Sequence, residues 1–122
     1  MKNPAWVPQL FQSIDAMDTG KFITFIADDA QFKFGNAPPV VGKETIRQAV
    51  DGFFKSIKRI RHRLLNTWAY LDTVICQGEV TYTRHDDSQL TVPFVNIFGM
   101  KNNLIKDYLI YNDITALYAP NK

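Results

Sequence analysis

The sequence predicts an α+β fold, three N-terminal helices laid over one face of a curled antiparallel sheet. Apolar residues recur at helical spacing up to about residue 57, and from Lys58 the period switches to two. Helices therefore come first and strands second, and long strands with one apolar face need the cover that helices supply. At 122 residues the chain suggests one domain with one core.

Asn3-Pro4 reads as a helix start, Asn as N-cap and Pro at the first helical position. Trp6, Val7, Leu10, Phe11, Ile14 and Met17 then form one stripe, which Asp18-Thr19-Gly20 breaks. A short second helix runs through Phe22, Phe25 and Ile26, followed by a short extended piece over residues 30–34. Pro38 and Pro39 between Gly35 and Gly42 exclude a helix and make a loop. Ile46, Ala49, Val50, Phe53 and Ile57 share a face of a third helix over residues 43–57. Strands follow at 60–70, 74–84, 90–100 and 104–117, joined by short turns as an antiparallel meander.

Residues 90–100 point to a site. Alternate residues of a strand face opposite sides, so Leu90, Val92, Phe94, Asn96, Phe98 and Met100 share a face. Burying the Asn96 amide unpaired costs roughly 1–3 kcal/mol, so it needs a partner or a ligand. Turns centred near Asp87 and Asp72 set Gly78 opposite Asn96, Asn66 opposite Gly78, His62 opposite Tyr82 and Trp68 opposite Cys76. Gly78 then leaves a hollow between two amides. In the last strand, Tyr108, Ile110 and Asn112 are placed inward in preference to Leu109 and Tyr111.

His62, Asn66, Tyr82, Asn96 and Tyr108 thus converge within walls that include Trp68, Phe94 and Phe98, with Phe34, Phe53 and Ile110 completing them. Few polar groups in an apolar concavity describe a small-molecule site. His62 or Tyr82 would move a proton and Asn96 would hold an oxygen. The alternative is a filled core in which His62 bonds Tyr82 or a helix and the amides bond each other. A void under about 100 Å³ would not take a drug-sized ligand, against the usual ~300–1,000 Å³.

The formal charge of +2 is too small for a nucleic-acid or membrane partner. Arg61 and Arg63 alternate with inner residues and read as an outer strand face. The single cysteine, Cys76, excludes an internal disulfide and fits a reducing compartment. No apolar run reaches the ~18–20 residues of a membrane span. The N-terminus lacks a signal-peptide core, so a cytoplasmic location is expected. His62 and His85 lie too far apart on these registers to share a metal, and neither a metal nor a cofactor is implied.

Several strings carry a resemblance: 25–30 (FIADDA) closing the second helix, 41–46 (VGKETI) opening the third, and 79–84 (EVTYTR). The others are 92–98 (VPFVNIF) and Leu104-Ile105 through Tyr111-Asn112-Asp113. With the order of elements, they resemble the SnoaL-like branch of the nuclear transport factor 2-like superfamily over almost the whole chain. The resemblance implies a cystatin-like α+β barrel, a sheet curled around a cone-shaped cavity closed by helices. It also implies a homodimer through the outer sheet face. Its members include ketosteroid isomerases, polyketide cyclases, epoxide hydrolases, dehydratases and non-catalytic binders. An ungapped match places Phe34 at the isomerase base, Leu10 at its tyrosine and Asn96 at its oxyanion-binding aspartate. The cyclase and hydrolase aspartate falls on Ile110. Phenylalanine and isoleucine move no proton. The residues and the resemblance together are read as a binder of a small, mostly apolar molecule with one or two oxygens, its chemistry being isomerisation, cyclisation or dehydration if it is an enzyme; the alternative is a non-catalytic ligand-binding or dimerisation module.

Overall fold

The computed structural model describes residues 4–118. Helix α1 (Trp6–Asp15) turns Val7, Leu10, Phe11 and Ile14 into the core. The Asn3 cap lies outside the described residues. Pro4 precedes the helix, whose N-cap is Ala5, without a side-chain cap. Asp18 caps α2 (Thr19–Phe22) by accepting from the Lys21 N–H at 3.0 Å, and a 3-10 turn, Ile23–Phe25, follows. Helix α3 (Lys43–Lys55) buries Ile46, Val50 and Phe54, one turn apart, while Phe53 is half-buried and Ala49 is exposed. Each large apolar side chain so buried contributes roughly 1.5–3 kcal/mol.

The sheet has six strands in the order β2-β1-β6-β5-β4-β3. They are β1 (Ile26–Phe34), β2 (Val40–Val41), β3 (Arg59–Tyr70), β4 (Thr73–Thr83), β5 (Gln89–Lys101) and β6 (Leu104–Tyr111). Strands β3 to β6 form the expected antiparallel meander, but β1 runs parallel to β6, so the sheet is mixed. The string from Ile26 to Ala30 is strand, not the close of a helix. A register shift between Ile26 and Gln31, where Asp28 and Asp29 face solvent, breaks the alternation that would have marked it. The last strand ends at Tyr111, well before the buried Leu117. Arg84 holds the segment after it, its guanidinium donating to the carbonyls of Leu117 and Ala116 at 2.9 Å each.

Two registers differ from the sequence reading. Gly78 pairs with Phe94, and Asn96 pairs with Cys76. The β4–β5 turn centres one residue earlier than Asp87, and moving a hairpin centre by one residue moves its pairs by two. In β3, His62 pairs with Val80 and Ile60 with Tyr82, and a bulge at Leu65 then turns Thr67 and Ala69 inward. Asn66, Trp68 and Tyr70 consequently lie on the outer face and are exposed.

Candidate functional site

Helices and inner sheet face enclose a cavity of about 50 Å³. His62, Tyr82, Asn96, Tyr108 and Asn112 line it, among walls that include Phe34, Phe53, Phe94 and Ile110.

The imidazole of His62 is set by a residue the sequence reading left out. Asp15, the last residue of α1, lies 2.7 Å from His62 Nδ1 through Oδ1. The His62 backbone N–H donates to the same carboxylate at 3.1 and 3.2 Å. Phe11 packs on the ring at 4.9 Å between centroids, and Phe94 meets it edge-on at 5.2 Å. With Nδ1–H directed to a carboxylate, Nε2 is the proton-accepting nitrogen. Asp15 follows Phe11 by four residues, so the helical period that orders the apolar stripe also places this carboxylate at its edge.

Tyr82 is buried on β4, and its hydroxyl accepts from Asn112 Nδ2 at 3.0 Å. Burial pushes its pKa up to about 12 against the opposing pull of that hydrogen bond, so it keeps its proton and serves as a donor. Burial likewise raises the pKa of Tyr108. Asn96 is 2% exposed, and among the described residues neither its Oδ1 nor that of Asn112 has a hydrogen-bond partner. Asn112 continues the inward parity of Tyr108 and Ile110, the signal that marks it.

Four expected ligand contacts lie elsewhere. The Asn66 amide donates to Gln77 Oε1 at 2.8 Å on the outer face, and Trp68 is 53% exposed there. Both are turned outward by the bulge. Phe98 is fully buried behind the cavity, against Trp6, Phe11 and Tyr108. Gly78 makes no hollow: a Cβ built on it would sit 2.1 Å from the carbonyl oxygen of Arg63. Neighbouring backbone fills the space where a ligand was expected. Arg84, at the end of β4, is engaged by the C-terminal segment.

The SnoaL-like domain family profile matches residues 7–108. The chain belongs to this family. No curated protein matches it in sequence. Solved SnoaL-like structures share its fold. A candidate SnoaL-like polyketide cyclase from Jannaschia sp. CCS1 superposes with a TM-score of 0.82 at 16% identity, covering 99% of both chains. A protein with a ketosteroid isomerase-like fold from Catenulispora acidiphila DSM 44928, in complex with trimethylamine, gives 0.82 at 13% identity, over 90% of this chain and 86% of that one. TerC, co-crystallised with polyporic acid, gives 0.79 at 13% identity over 92% of each chain. At these identities the likeness carries the fold alone.

Among the described residues no cluster of three or more His, Cys, Asp or Glu side chains is placed to hold a metal. No helix among them is long and apolar enough to cross a membrane.

Proposed function

We propose that this SnoaL-like protein binds a small, mostly apolar molecule with one or two oxygens and moves a proton beside its carbonyl without a cofactor. The observation that carries the reading is the Asp15–His62 pair, whose imidazole lines the cavity together with Tyr82. His62 Nε2 takes a proton from the carbon next to the carbonyl, and Asp15 steadies the imidazolium that forms. The Tyr82 hydroxyl donates to the oxygen as negative charge develops there. Return of the proton to another carbon completes an isomerisation; its return to a leaving hydroxyl completes a dehydration. The small molecules held by two related structures support a ligand in this fold. A reducing cytoplasm suits the buried free thiol of Cys76.

The test is deuterium uptake at the α-carbon of small ketones in D₂O, followed by proton NMR. His62→Gln should slow it by about 10²–10⁴-fold, the usual span of general-base catalysis. Asp15→Asn should slow it less while leaving binding intact. Equal uptake in all three proteins would remove His62 from the chemistry.

A second reading is a non-catalytic ligand-binding or dimerisation module, and the cavity volume favours it. About 50 Å³ is far below the ~300–1,000 Å³ of a drug-sized site. Binding of small ketones without deuterium uptake would select this reading.

A further inference from the structure

We propose that Asn112 is a positioning residue for the Tyr82 hydroxyl: it leaves the phenol proton free for a substrate oxygen and makes Tyr82 a stronger donor to it. This rests on the proton-transfer reading above and adds to it a residue that acts on the reacting oxygen through Tyr82.

Asn112 directly follows β6, and its Nδ2 donates to the Tyr82 hydroxyl at 3.0 Å. Gly35 sets the other side of the amide. Its N–H donates to the Ile110 carbonyl at 2.9 Å, and its φ is +56°. A Cβ built on it would lie 3.4 Å from the Asn112 backbone oxygen and 3.8 Å from Oδ1. The amide therefore stands between the Gly35 backbone and the phenol, Oδ1 beside the first and N–H on the second. The chain beyond it is fastened from the same strand end that carries Tyr82. Arg84, two residues after Tyr82, donates to the carbonyls of Ala116 and Leu117 at 2.9 Å each, and Leu117 is buried.

A phenol oxygen accepts as well as donates. The Asn112 N–H occupies the accepting side, and among the described residues no acceptor takes the phenol proton. The opposite orientation of the amide would put Oδ1 on the hydroxyl, take up that proton and remove the donor. Donation to the phenol oxygen also favours the negative charge that builds there as the proton is shared with a substrate, so Asn112 pulls the Tyr82 pKa down against burial. The other titratable groups around this phenol are His62 and Tyr108 on the cavity wall and Tyr118 on the C-terminal segment.

Two substitutions act on this bond differently. Asn112→Leu removes the N–H and should slow deuterium uptake by butanone about tenfold with KM unchanged, since the lost interaction strengthens only as charge develops. Asn112→Asp keeps the shape, but a carboxylate accepts and cannot donate, so it captures the phenol proton. Uptake should then fall about 10²–10³-fold, as far as in Tyr82→Phe, the usual loss when an oxyanion donor is removed.

The readout that a merely structural role would not move is the acidity of the phenol itself. Fluorotyrosine in place of Tyr82 in the full-length protein reports its own ionisation by fluorine NMR, and its lower pKa brings the titration to a gentler pH. The midpoint should rise in Asn112→Leu and, should that variant not fold, in the near-isosteric Asn112→Asp. The more acidic fluorotyrosine should also restore at least about threefold of the uptake lost in Asn112→Leu, a rescue that a packing defect would not show. An unchanged midpoint, or uptake as fast as the parent's in both variants, overturns the inference and leaves the proton-transfer reading standing. No uptake by the parent protein overturns both.

Discussion

Asp15 ends α1 one turn beyond Phe11, and this carboxylate decides what His62 is able to do. Without it His62 would be a half-buried imidazole between two phenylalanine rings, free to take either tautomer. With it, one nitrogen is committed and the other is free to accept a proton. Tyr82 is the complementary case, a hydroxyl that burial keeps protonated. Its folded pKa, about 12, lies above the ordinary value of 10. The native state therefore holds this proton more tightly than the unfolded chain. The stabilisation is complete below about pH 10 and is lost as pH rises towards 12. Tyr82→Phe should flatten this alkaline loss by about 1–3 kcal/mol in urea melts from pH 9 to 12. An unchanged slope would show that Tyr82 ionises equally easily in both states. Tyr108, raised by the same cause, keeps its own share of the slope.

At the level of elements, the bulge in β3 sorts the strand into two halves. Before it, Ile60, His62 and Leu64 face inward and the arginines outward; after it, Thr67 and Ala69 face inward and Trp68 and Tyr70 outward. Gly78 permits the close approach of β3 at this point, because a side chain there would strike the Arg63 carbonyl at 2.1 Å. Backbone cannot step aside cheaply. Gly78→Ala should therefore destabilise the fold by about 3 kcal/mol or more in equilibrium urea unfolding. A loss below about 1 kcal/mol would show that β3 shifts freely. Sequence alternation located these strands but not the bulge. A one-residue insertion reverses the faces without changing composition, and the adjacent Leu64 and Leu65 are its one trace in the alternation over 60–70. That is why His62 was legible as an inner residue while Asn66 and Trp68 were misplaced.

For the molecule as a whole, curling the sheet around the helices leaves its outer face bare. Trp68, Tyr70 and Tyr111 are more than half exposed, and Leu65 nearly so. Apolar groups gathered on one face mark an interaction surface, and we propose that a second copy of the chain covers it. Light scattering during size exclusion should return the mass of a dimer. Trp68→Glu should weaken association by at least about tenfold, since a buried aromatic anchor typically carries 2 kcal/mol or more of an interface. A monomeric parent protein would refute this.

The three helices, the four meander strands, the inward row of β5, and the places of His62, Tyr82, Asn96 and Tyr108 on the covered face were determined by local pattern, whereas β2 lies in a stretch that reads as loop. Periodicity and turn chemistry act within a few residues and are written into the chain directly. The partnership of Asp15 with His62, the parallel pairing of β1 with β6 and the outward turn of Asn66 and Trp68 were decided by tertiary structure alone. So was the filling of the hollow at Gly78 by Arg63. Each depends on the approach of segments distant in sequence, or on a single extra residue in a ladder. Local spacing holds no record of either, because the energy that selects them arises only when the helices close over the sheet.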